Sequence, residues 1–162
     1  MMDQKIEKAI FAKLNQLSQE GTLATKGYTS PEIIVLDGEG KVQAQTLIRA
    51  PTEEAANYLQ EYLHLVGASS IIKEACLVLD CYAESGQGTT LPDIIVILHG
   101  AAKGGYEVGI IEYDAQSSPL ITKPINWQDR FWSRSMAPLG RKIFSYFEFT
   151  NRDHLNLAPL IR

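Results

Sequence analysis

The stretch Pro31-Glu32-Ile33-Ile34-Val35-Leu36-Asp37-Gly38-Glu39-Gly40-Lys41-Val42-Gln43-Ala44-Gln45-Thr46-Leu47-Ile48-Arg49-Ala50 decides the fold class. Ile33 to Leu36 lead into Asp37-Gly38-Glu39-Gly40, and Val42 to Ile48 lead away. Asp-Gly and Glu-Gly supply the positive φ angles that a tight reversal needs. A β-hairpin is predicted here, and its glycines are explained by turn geometry without any bound phosphate.

Two helical segments flank the hairpin. Between Asp3 and Glu20, the residues Ile6, Ile10, Phe11, Leu14 and Leu17 fall on one helical face, with Asp3 as cap and Gly21 as stop. Thr22 to Ser30 is polar and reads as a loop. After the hairpin, Thr52 caps a second helix whose first turn carries Glu53 and Glu54, where the positive end of the helix dipole favours acids. Ala55, Tyr58, Leu59, Tyr62, Leu63 and Val66 form its apolar stripe, and Gly67 ends it.

From Lys73 to Glu84 the period changes to two, which indicates a strand. Ser85 to Thr90 is a small-residue loop. Asp93 to His99 is a strand rich in β-branched residues, Gly100 to Gly105 a turn, and Tyr106 to Tyr113 a returning strand. Asp114 to Pro124 reads as loop. Asn126 to Asp129 resembles a capped helix start running to about Met136, interrupted by Pro138 to Gly140. Lys142 to Phe149 reads as an aromatic strand.

Short connections between strands favour antiparallel pairing, and no βαβ unit repeats. The expected architecture is a single α+β domain over residues 1–162, with two helices packed on one face of a mainly antiparallel sheet of about five strands. The element order is α-β-β-α-β-β-β, with an irregular C-terminal segment.

At 162 residues the chain is long enough to bury a core without a disulfide or metal. Hydrophobic residues make up 45% and charged residues 21%, an ordinary globular usage. The run Ile94 to Leu98 is far too short to cross a bilayer, and the N-terminus shows no apolar leader. Cys76 and Cys81, in one extended strand, would lie about 17 Å apart on opposite faces. Two reduced thiols and a cytoplasmic location are therefore expected. The net charge of −4 is unevenly spread. Residues 1–122 form an acidic core with 8 Lys and Arg against 16 acids, while residues 123–162, basic and aromatic, hold 7 against 3.

No catalytic or metal-binding spacing emerges. Gly100-Ala101-Ala102-Lys103-Gly104-Gly105 lacks the Ser or Thr and the helix of a phosphate loop. No serine stands in a Gly-x-Ser-x-Gly elbow, and no histidine pair has zinc spacing. No metal or cofactor is expected. Glu74, Asp80 and Glu84 share one strand face, which reads as solvated. His99, at the end of a strand, could act as an oriented base with Asp80 or Glu74 on a neighbouring strand. His99 with Asp80 is the candidate catalytic pair for a small hydrolase. In the C-terminal segment, Trp127, Arg130, Trp132 and Arg134 are candidate binding residues, since aromatic and Arg side chains concentrate at interface centres. Core closure by Trp127, Phe131 and Met136 is the plainer reading of the same aromatics. Nucleic acid is disfavoured by the acidic body.

The sequence thus favours a non-enzymatic binding or assembly module acting through self-association or a protein partner. The expected oligomer is a homodimer joined at an open sheet edge or through the C-terminal segment. The hydrolase is the alternative.

Overall fold

The computed structural model describes residues 2–28, 30–67, 72–81, 93–102 and 105–157, with only the backbone course given for 66–67 and 145–157. The expected strand residues Tyr82 to Glu84, the loop 85–90 and Lys103-Gly104 lie outside the described residues.

The fold is α+β, with a mainly antiparallel sheet as expected. In chain order the elements are α1 (Gln4–Gln19), α2 (Thr22–Lys26), β1 (Glu32–Asp37), β2 (Val42–Thr46), α3 (Thr52–Gly67), β3 (Ile72–Cys81), β4 (Asp93–Ala101), β5 (Tyr106–Asp114), β6 (Ile121–Thr122) and α4 (Arg130–Leu157). The sheet has six strands in the order β2-β1-β3-β4-β5-β6, and every neighbouring pair is antiparallel. The sixth strand is short and falls in the segment read as a loop.

The helices do not share one face. Ile6, Ile10 and Leu14 of α1 pack with Ile34, Leu36, Cys76, Val78, Ile95, Ile97 and Ile111. Ala55, Leu59 and Leu63 of α3 pack on the other side with Ile33, Val35, Ala75, Leu77, Val96, Leu98, Val108 and Ile110. Alternate residues of a strand point to opposite faces, so β1, β4 and the middle of β3 (Ala75 to Leu79), buried at successive residues, need cover on both sides. The continuous runs Ile33–Leu36 and Ile94–Leu98 carry that requirement.

The C-terminal segment is one long helix rather than an irregular tail or a strand. Trp132, Met136, Leu139, Ile143 and Phe144 recur at helical spacing and all join the α3-side core. Asp129 caps the start: its carboxylate accepts the N–H of Trp132 at 2.9 Å. Pro138 sits inside α4 with its ring exposed, so the carbonyl that loses an N–H partner belongs to exposed Arg134, where water can replace it. Close aromatic contacts then seat α4 on the sheet. Tyr106 lies against Gly140 and donates its hydroxyl to the Ala137 carbonyl at 3.2 Å, while Phe144 lies over Gly100. A side chain at either glycine would displace the ring.

The hairpin and the first helix follow the sequence closely. Asp3 accepts the N–H of Lys5 as the α1 cap, and the Asp37 side chain accepts from Glu39 and Lys41 within the β1–β2 turn. Between α1 and β1, the segment read as a loop contains the short α2, set off by Gly21 (φ 75°) and Gly27 (φ 72°).

Candidate functional site

Chemistry-bearing residues gather in three places. The first surrounds His99 on the α1 face of the sheet. His99 stands opposite Cys76 on β3 and opposite Glu107 on β5. Its ring is buried, with Nε2 2.7 Å from Glu74 Oε1 and Nδ1 3.0 Å from Glu107 Oε1. Glu74 Oε1 also accepts the N–H of Asp3 at 2.9 Å. Trp127 meets the imidazole edge-on, with ring centroids 6.1 Å apart, and lies over Gly109, where a side chain would collide with the indole. Both ring nitrogens are already engaged by side chains of the protein. Beneath the ring, burial and then the charges of Glu74 and Glu107 push the Cys76 thiol well above its ordinary range.

The second place is a cavity of about 540 Å³ at the other end of the same face. It is lined by Leu23 to Gly27, Asp80, Cys81, Asp93, Tyr113, Ala115 and Gln116. Asp80 stands opposite Ile95, four residues along β3 from the position that faces His99, about 13 Å away by strand geometry. The structure does not bring His99 and Asp80 together. Asp80 accepts the N–H of Tyr28 at 2.8 Å. Burial, with a further contribution from the charge of Asp93, pushes its carboxyl up to about 6 against the Tyr28 hydrogen bond. The residue still reaches solvent at the cavity mouth, so water screens part of that effect. Tyr113, beside it, is likewise raised by burial and then by Asp80 and Asp93.

The third place is the β2 edge of the sheet, which sequence reading left without named residues. β2 pairs with β1 on one side, and no described strand pairs with its other side. Asp37 N–H binds the Lys41 carbonyl and Leu47 N–H binds the Pro31 carbonyl. Antiparallel pairs alternate, so Lys41, Gln43, Gln45 and Leu47 turn their backbone groups toward β1. Val42, Ala44 and Thr46 therefore turn theirs outward. A cavity flanks the strand on each face of the sheet. One of about 300 Å³ is bounded by Ile33, Val35, Gln43, Gln45, Tyr58 and Tyr62 under α3. The other, of about 310 Å³, is bounded by Ala9, Ala12, Lys13, Gln16, Glu32 and Thr46 beside α1. Ile48 and Tyr58, both exposed, lie close to the same edge in the chain and in space.

The opposite edge of the sheet is the short β6. β6 pairs with β5, Lys123 donates to the Glu112 carbonyl, and Asn126 exchanges two backbone hydrogen bonds with Ile110.

The four binding candidates of the C-terminal segment do not form one surface. Trp127 is half-buried with the α1-side core, whereas Trp132 is buried with the α3-side core. The chain passes round the β5 edge between them. Arg130 and Arg134 are exposed on α4, and Phe131, which was read as core, is 60% exposed beside Trp132. Among the described residues no three His, Cys, Asp or Glu side chains are grouped to hold a metal ion. No described helix is long and apolar enough to cross a membrane. Comparison with known proteins finds no matching family, no similar curated protein and no similar solved structure.

Proposed function

We propose that this chain is a non-enzymatic binding module whose partner is a polypeptide, taken up as an added strand along β2. The observation that carries this reading is the β2 edge itself. Outward backbone groups at Val42, Ala44 and Thr46 are flanked by a cavity on each face of the sheet. In strand addition, main-chain hydrogen bonds supply affinity and pockets on alternating sides supply specificity. A strand laid against β2 would present successive side chains toward the Tyr58–Tyr62 cavity and toward the Ala12–Gln16 cavity. The acidic body disfavours nucleic acid at this edge, and two unpaired thiols fit a cytoplasmic setting.

The burial of His99, with both nitrogens held by Glu74 and Glu107, supports a structural place for that ring. The test is selection of random peptides on the immobilised chain, followed by amide exchange of the complexes. Bound peptides should slow exchange at Val42, Ala44 and Thr46, and Ala44→Pro should abolish their binding. Peptides that protect only residues around Asp80 or α4 would overturn this reading.

A second reading rests on Asp80. A carboxyl raised to about 6 inside a cavity, with Asp93 and Tyr113 beside it, has the poise of a general acid–base group in a small hydrolase. His99 has no part in that version. Turnover of a small ester or phosphoester substrate that falls at least a hundredfold in Asp80→Asn would favour it over the binding module.

A further inference from the structure

We propose that the strand seated on β2 is the β2 of a second copy of this chain, so that two molecules join their sheets into one across a twofold axis at Ala44. This inference rests on the edge-docking reading above and names its occupant.

Val42, Ala44 and Thr46 each offer an outward N–H and C=O, the spacing that lets antiparallel partners exchange both hydrogen bonds at every second residue. With Ala44 opposite its own copy, Val42 falls opposite Thr46, and every outward group of both strands is paired. A shift of the register by two residues leaves an outward pair at each end unmatched. A shift by one sets the outward groups opposite Gln43 and Gln45, whose own backbone groups are held by β1.

The side chains fit the same register. Val42, Ala44 and Thr46 of both copies lie on the α1 face, with the smallest on the axis. Gln43 faces Gln45 of the partner on the α3 face, and their amides can donate and accept reciprocally. No charged residue of β2 meets its like, because Val42 to Thr46 contains none. The flanks are complementary as well. The antiparallel arrangement carries the Glu39 turn of one copy toward Arg49 of the other, and exposed Ile48 toward the glycines of that turn.

An edge strand left to solvent is commonly guarded by a charge, a proline or a bulge. β2 carries no charge and no proline, and its pairing with β1 runs in unbroken register. A partner strand would pair the outward groups that none of these guards. The self-matching register selects this chain over an unrelated peptide.

Light scattering after gel filtration at tens of micromolar tests the proposal. The parent should show twice the 18.0 kDa chain mass. Ala44→Lys, which sets two like charges face to face on the axis, should be monomeric with an unchanged circular dichroism spectrum. Ala44→Pro, which removes an outward N–H without touching the bonds to β1, should give the same result and serves if the lysine variant misfolds. A monomeric parent, or a dimer that survives both substitutions, overturns the self-pairing. In a monomeric parent, peptide-induced protection of Val42, Ala44 and Thr46 would leave the edge-docking reading standing, and its absence there would remove that reading separately.

Discussion

One oxygen of Glu74 joins the N-terminus to the sheet: Oε1 lies 2.7 Å from His99 Nε2 and also accepts the backbone N–H of Asp3. The helix cap of α1, His99 within β4 and, through Nδ1, Glu107 on β5 form one connected set. Removing the ring leaves two carboxylates facing the gap. His99→Ala should therefore destabilise the chain by about 3 kcal/mol, toward the lower end for a broken buried pair because Glu107 is partly exposed. Urea denaturation measures it, and peptide binding at β2 should be retained in the folded fraction. A loss of binding without a loss of stability would give His99 a functional role instead.

Asp80 sets a pH dependence. Its folded carboxyl titrates near 6 against an ordinary 3.8, so between about pH 4 and pH 6 the folded chain holds more protons than the unfolded one. Stability from this group is complete below about pH 4 and falls as pH rises to 6. Because the residue reaches solvent, the expected loss is under about 1 kcal/mol. Asp80→Asn keeps an acceptor for the Tyr28 N–H and should flatten the melting temperature across that window. An unchanged slope in the variant would show that other groups cause it.

Trp132 belongs to the core. It is 7% exposed and packs with residues of α3, α4 and the sheet. Trp132→Ala should cost about 3–5 kcal/mol, as large aromatic truncations in cores do, and leave the oligomeric state of the folded protein unaltered. A variant of parental stability that lost its dimer would return Trp132 to the interface.

Both cysteines should be free thiols of unequal reactivity. Cys76 is fully buried and its thiol is pushed well up, so an alkylating reagent should label it only on unfolding. Cys81 is half-buried and raised to about 11 by burial and then by Asp80, so it should label slowly in the native protein. Mass spectrometry under non-reducing conditions reads both, and rapid native labelling of Cys76 would contradict its burial.

Local pattern alone was enough for α1, the β1–β2 hairpin, α3 and the three long strands, because caps, turn glycines and the change of period from 3.6 to two are written in neighbouring residues. The same local reading stopped α4 at Pro138 and turned its second half into a strand. Pro138 is tolerated only because its face is solvent-exposed, and the stripe from Trp132 to Phe144 is meaningful only once a core exists for it to meet.

Tertiary structure decided what lies on each side of the sheet. Ile33 to Leu36 announces a strand, but placing α1 against Ile34 and α3 against Ile33 requires both faces to be assembled. It also separated His99 from Asp80, since strand order and register, which depend on long-range pairing, set the distance between residues on neighbouring strands. Glu74, a candidate partner from the sequence, does reach His99, and Glu107 joins it by the same register. The outward edge of β2 was equally hidden, because whether a strand has a neighbour is a property of the whole sheet. The sequence by itself determined which segments could be helix or strand and how charge is divided along the chain. Which residues meet was decided by packing, because burial on two faces is a constraint that no single segment contains.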